Sequence, residues 1–449
     1  MKTLLERAKG SALDIITKRT DPVGAVTLLP PHTTQIRSLY FKRDYWTKIQ
    51  MFSEIDSGPL PLLRVLRINV VEEFNLDGTD AMTPPTLPLF SNAVNLREFS
   101  LHSEGSPFID CFVFPNLTRF ELVAAPAEVG FPTSLLDFLE ASPTLRTVEM
   151  NIFGDMSQQN IPQGRAIVLP NVEAFALAAH NGGSAYELAA HISCPSAKHT
   201  LLTHERDADD ITTGEIFPNP ISWSAITRQY TRGPVEEVML QIKADSDVFL
   251  SCSLTFQSPD ATVLRLDYEI PASDEDDLDI GMPLADLHCE IFYQASRVIR
   301  DHPLLASVKR IHIDHRHFVP GSSEFARISE EVGRLFKSVG PLEKLTINNS
   351  DLYLYLGPFA DNQGPRSAPR PFIFPPIKEL TISHPLLLRD NEKRMAAIVG
   401  FAKSHHALGT PFERVTVYME DLPTALAERL EPWVGTVDCR EEKRPDVFW

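Results

Sequence analysis

The apolar positions of this chain fall into a recurring spacing, apolar-x-x-apolar-x-apolar. Its clearest statement is Phe114-Pro115-Asn116-Leu117-Thr118-Arg119-Phe120-Glu121-Leu122. Pro115 and Asn116 favour a tight turn. Phe120 and Leu122 are two residues apart and share one face of a short strand, and Leu117 reaches the same core from the turn. The spacing appears first at Ile36-x-x-Leu39-x-Phe41. It returns at Leu63, Leu96, Leu117, Leu145 and Val172, and in a degraded copy at Ala197-x-x-Thr200-x-Leu202. Further copies start at Val235, Val263, Val308, Leu342, Ile377 and Phe412.

The intervals between copies indicate the kind of array. Leu96 and Leu117 are 21 residues apart, Leu117 and Leu145 are 28 apart, and Leu342, Ile377 and Phe412 follow at 35 each. Leucine-rich repeats run about 20–29 residues, so the early units fit and the later ones carry extra length. That length is expected to form helices over 324–338, 284–300 and 391–403, with a shorter one over 134–140. Ser323 is the expected N-cap of the first, and Phe325, Ile328, Val332, Leu335 and Phe336 share its apolar face. Asn181-Gly182-Gly183-Ser184 reads as a turn and helix N-cap.

The predicted fold is α/β: an irregular leucine-rich-repeat solenoid, or horseshoe, with a parallel concave sheet and convex helices or loops. Its irregularity is expected because the asparagine of regular repeats, three residues after the last strand leucine, is replaced by Val71, Glu104, Ala125 and Phe153. The predicted organisation is an N-terminal segment over 1–34 (helix tail, then a strand at Ala12–Ile16), the array over 35–420 and a C-terminal cap over 421–449. Thr203–Arg232 and the acidic run Ser273–Asp279 interrupt the rhythm and read as exposed loops. In the cap, Asp421–Leu430 reads as a helix, and Trp433, Val434 and Val437 as the cover of the last core layer.

Composition narrows the function. A net charge of −18 disfavours nucleic acid and anionic membranes, which require a basic surface. The five cysteines are scattered without a C-x-x-C pair, which predicts neither a disulfide framework nor a zinc site. A reducing intracellular compartment, cytoplasmic or nuclear, is expected, and no apolar run is long enough to span a bilayer. There is no P-loop, G-x-S-x-G or H-E-x-x-H motif, so no active site, metal or cofactor is inferred.

The residues that alternate with the strand core form the candidate partner-binding face. In the N-terminal half these are Arg67, Asn69, Glu98, His102, Arg119, Glu121 and Glu149. In the C-terminal half they are Arg265, Asp267, Arg310, His312, Asp314, Lys344, Asn348, Arg414 and Tyr418. A face of mixed charge suits a protein partner, although alternating polar residues also simply keep an open sheet soluble. His312 and Asp314 share a face and raise a metal reading, but alternation brings only these two potential ligands together, and Arg316 opposes a cation. His405 and His406 sit near a helix end, where the dipole favours a charged imidazole.

The chain resembles basidiomycete fungal F-box proteins with degenerate leucine-rich repeats. The resemblance rests on Leu5–Ile15, on corners of the Phe114-Pro115-Asn116-Leu117 type and on Pro432-Trp433-Val434-Gly435. It implies a non-catalytic protein–protein interaction scaffold, the substrate-recognition part of an F-box ubiquitin-ligase receptor. The F-box, which docks on the Skp adaptor, is not found in these residues, so the resemblance assigns adaptor binding to none of them. The other readings are an enzyme or small-molecule receptor with an inter-repeat pocket, and a truncated gene product.

Overall fold

A computed structural model describes residues 11–17, 29–43, 58–70, 89–103, 108–125, 131–153, 164–180, 185–205, 220–230, 234–245, 249–260, 263–270, 284–300, 305–315, 322–348, 375–383, 391–419 and 423–441. The chain forms two compact units, Met1–Glu205 and Arg206–Trp449. Both are α/β and built on largely parallel strands. The expected helix tail at Leu4–Ala8 and the acidic run Ser273–Asp279 lie outside the described residues.

The first unit contains strands β1 (Leu13–Thr17), β2 (Ile36–Arg43), β3 (Val65–Val70), β4 (Glu98–Ser103), β5 (Arg119–Ala124), β6 (Thr147–Ile152), β8 (Ala174–His180) and β10 (His199–Glu205), side by side in that order. All of these pairs are parallel. The short β7 (Ile167–Val168) and β9 (Ile192–Ser193) make a separate parallel pair. Among the described residues this unit has α1 (Phe131–Glu140) and α2 (Ala185–Ala189).

The repeat spacing determines the register. Leu39, Leu66, Phe99, Phe120, Val148, Phe175 and Thr200 are successive partners across the sheet. Phe41, Ile68, Leu101, Leu122, Met150, Leu177 and Leu202 form the next row, and every member of both rows is buried. A slip of one residue would turn a whole rung outward, so burial itself holds the register. Phe120 extends the core towards α1, with its ring 4.8 Å from Phe138. Phe114 lies 5.0 Å from Phe99, nearly edge-on.

In the first unit the corners are turns in which the first repeat apolar donates its backbone N–H three residues back. Leu96 donates to Ala93, Leu117 to Phe114, Leu145 to Ser142 and Ala197 to Cys194. The asparagine that regular repeats place after the strands is replaced at Ala125 and Phe153, but another ladder stands before the strands. Asn95 Nδ2 donates to the Pro61 carbonyl at 2.8 Å, Asn116 to Val94 at 3.0 Å and Asn171 to Pro143 at 3.0 Å. Thr144 and Ser196 fill the same position with hydroxyls, donating to Pro115 and Pro170. The polar side chain just before the first repeat apolar therefore ties each corner to the one before it. In the second unit Pro341, Pro376 and Pro411 occupy this position and have no side-chain donor.

The second unit contains β11 (Glu237–Asp245), β12 (Phe249–Gln257), β13 (Val263–Ile270), β14 (Arg310–His315), β15 (Leu342–Asn348), β16 (Ile377–Ser383), β17 (Arg414–Met419) and β18 (Thr436–Glu441). Their order is β13-β12-β11-β14-β15-β16-β17-β18. The expectation of parallel pairing throughout is corrected here, because β11, β12 and β13 form an antiparallel meander. β12 carries no copy of the spacing; its alternating Cys252, Leu254 and Phe256 still face the core. The C-terminal cap is a helix followed by a strand, since β18 pairs in parallel with β17.

Among the described residues of this unit the helices are α3 (Pro220–Tyr230), α4 (Leu284–Arg300), α5 (Ser322–Ser338), α6 (Asn391–Ala407) and α7 (Pro423–Leu430). The reading of Thr203–Arg232 as loop is corrected in part by the end of β10 and by α3, while residues 206–219 lie outside the described residues. Trp223, Ile226 and Tyr230 recur at helical spacing and are buried, with Trp223 5.3 Å from the Phe256 ring. Between α4 and α5, Glu331 is only 2% exposed and accepts from Arg300 Nη1 at 2.8 Å and Arg334 Nη1 at 3.1 Å.

Candidate functional site

Strand alternation places every predicted face residue opposite the buried rows, and the register decides which of them meet. In the first unit Glu98 pairs with Arg119, Glu121 with Glu149 and Asn69 with His102. Arg67 on β3 is exposed. Arg119 approaches Glu149 at 3.8 Å, diagonally across one strand pair. His102 Nε2 lies 3.2 Å from Glu121 Oε1, so the carboxylate orients the ring.

These residues border a concave site that the sequence did not announce. A cavity of about 460 Å3 is lined by Asn69, Val70, His102, Ser103, Val123, Ala125 and Phe153. Each of these is at or just past the carboxyl end of β3, β4, β5 or β6. The ladder continues one residue beyond the strands and fixes this rim: Ala125 N–H donates to Ser103 and Phe153 N–H to Ala124. Phe153 stacks on His180 with centroids 4.1 Å apart and remains 37% exposed. His180 Nε2 is in turn 2.7 Å from Asn151 Oδ1. The carboxyl ends of parallel strands are where crevices form in α/β sheets, and only alignment of the rungs reveals that Val123 and Phe153 share one.

In the second unit the face is a hydrogen-bonded polar sheet. Arg310 Nε donates to Glu237 Oε2 at 2.8 Å, and Gln241 Nε2 to Asp314 Oδ2 at 3.0 Å. Asn348 Nδ2 is 3.0 Å from His312 Nε2. Burial pushes the His312 pKa below its ordinary value, against the pull of Asp314 and Glu237, which suits a neutral ring accepting from Asn348. Arg265 Nε donates to both Asp267 Oδ1 at 2.8 Å and Ser253 Oγ at 3.0 Å. Lys344 pairs in register with Arg310, and Arg414 with Glu379. Tyr418 lies under the Arg440 guanidinium, 5.9 Å from its centre.

Among the described residues no group of three or more His, Cys, Asp or Glu could hold a metal ion. Arg316 and His317 lie outside the described residues. Three thiols are poor nucleophiles: burial pushes Cys194 up to about 12 and Cys439 up to about 11, and burial with help from Asp267 also raises Cys252. Among the described residues no helix is long and apolar enough to cross a membrane. No family model matches this chain, and no curated protein matches it.

Proposed function

We propose that this chain is an irregular leucine-rich-repeat receptor of the F-box type, intracellular and non-catalytic, which holds a protein partner on the exposed face of its strands. The observation that carries this reading is the face itself. Register sets opposite charges on neighbouring rungs at Glu98–Arg119 and Glu237–Arg310, beside neutral donors and acceptors. A broad face of mixed, pre-positioned charge provides specificity for another protein rather than for a phosphate backbone.

The test is affinity purification of the tagged full chain from its source cells, followed by reconstitution with the purified partner. A partner that binds the wild type directly and is lost on joint Arg310→Glu and Lys344→Glu substitution supports the reading. A partner whose binding ignores changes on both faces refutes it. Recovery of a Skp-type adaptor with these residues alone would contradict the assignment of adaptor docking to a separate module.

The cavity favours a second reading, a small-molecule receptor. Its lining is apolar apart from an amide, an imidazole and a hydroxyl, and its volume lies in the range of ligand pockets. Such a site would take an uncharged planar molecule against Phe153. Indole binding, followed by ligand-observed NMR, would be lost in Val123→Trp if this reading holds and would not occur at all if it fails.

A further inference from the structure

One repeat position behaves differently in the two units. It is the residue after the first repeat apolar, at the amino end of each strand. Backbone hydrogen bonds chain these residues directly across the second unit: Lys309 N–H donates to Glu236, Glu343 N–H to Lys309 and Glu413 N–H to Lys378. The row Glu236, Lys309, Glu343, Lys378, Glu413 alternates in sign at every step. Each lysine of the row stands between glutamates, and Lys309 Nζ is 2.6 Å from Glu236 Oε1. Opposite charges on adjacent strands stabilise the pairing.

The same chain of backbone bonds in the first unit runs through Arg37, Arg64, Arg97, Thr118, Arg146, Glu173 and Lys198. Here cations stand next to cations. Arg64 N–H donates to the Arg37 carbonyl and Arg97 N–H to the Arg64 carbonyl, so three arginines lie on three consecutive strands. Adjacent strands are about 4.8 Å apart, and like charges at that spacing destabilise the sheet. Among the described residues the anions in and beside the row do not balance its five cations. Asp14 pairs with Arg37, and Glu173 meets Arg146 at 3.7 Å. Arg97 Nη1 donates to the Asn116 carbonyl, which carries no net charge. Glu98 stands in register with Arg119, which also approaches Glu149 at 3.8 Å. A basic row is therefore maintained in a chain of net charge −18, at a repeat position where the other unit alternates in sign.

We propose that the row centred on Arg64 and Arg97 docks an acidic, extended peptide segment of a protein partner, lying across the amino ends of the strands. This rests on the reading of the chain as a protein receptor and names the charge and site of the contact. Exposed guanidiniums on a hydrogen-bonded ladder present a line of forked donors, and carboxylates on alternate residues of an extended peptide meet such a line with charge-assisted hydrogen bonds.

The experiment is fluorescence anisotropy on the full chain with a labelled peptide of alternating Glu and Ser, and with a labelled oligothymidylate of equal charge. Wild type is expected to bind the peptide, to weaken on raising salt from low to physiological levels and to prefer it over the oligonucleotide. Joint Arg64→Glu and Arg97→Glu substitution is expected to weaken the peptide at least tenfold, with the circular dichroism spectrum unchanged. Joint Lys309→Glu and Lys378→Glu substitution in the alternating row serves as the control and is expected to leave it unchanged. Peptide binding that is absent, insensitive to the arginine reversal, equally lost in the control or weaker than oligonucleotide binding overturns the proposal. Failure here with a partner still lost on Arg310 and Lys344 reversal would leave the receptor reading standing.

Discussion

At the scale of single residues, burial overrides local sequence signals. His405 lies in the last turn of α6, where a helix dipole favours the charged ring. The fold instead buries it between Phe401 and Phe412, with ring centroids 4.8 and 4.5 Å away. Desolvation pushes its pKa down to about 4 from 6.5. Because the unfolded chain binds the proton first, stability is intact above pH 6.5, falls as the pH drops towards 4 and loses about 3 kcal/mol in all. Urea denaturation across that window should show the loss, and His405→Phe should flatten it. The corner residue Asn116 is a second case: Asn116→Ala should cost roughly 0.5–1 kcal/mol, the worth of one partly exposed hydrogen bond, in the same assay.

At the scale of elements, helices were legible where their apolar stripe lay in a long interval between strands, as for α4, α5 and α6. α3 was missed because its interval is bracketed by polar residues and opens with Pro220, although Trp223, Ile226 and Tyr230 keep helical spacing. Contacts between helices were not legible at all. Glu331 sits on a helix whose pattern predicts only one apolar stripe, yet it is enclosed between Arg300 of α4 and Arg334 of its own helix. Glu331→Ala leaves Arg300 facing the helix interface without its carboxylate. It should destabilise the second unit by about 3 kcal/mol, whereas a surface change such as Glu330→Ala should cost less than 1. Denaturant midpoints of the two variants compare them directly.

At the scale of a whole unit, the rungs share one core, so damage should not stay on one strand. Leu122 is fully buried between Leu101 and Met150 in its row. Leu122→Ala should cost about 2–5 kcal/mol. Hydrogen exchange should then report lost protection in β4 and β6 as well as β5, because each rung buries its apolar face only against its neighbours. Protection lost in β5 alone would argue for independent rungs.

The sequence by itself determined the rungs. A two-residue alternation with a third apolar position at the turn has one low-energy solution, and all the copies found in the sequence carry strands. It also determined which side chains take the face opposite the core, since alternation leaves them nowhere else, although packing buries Asp267 and Asp314 there. Tertiary structure alone decided how the rungs align. The corner ladder of Asn95, Asn116 and Asn171, the cavity beside Phe153 and the basic row through Arg64 and Arg97 all depend on residues about 20 or more positions apart becoming neighbours. Periodicity states which face a residue takes. Register, set by the summed burial of every rung, states which residue stands beside it.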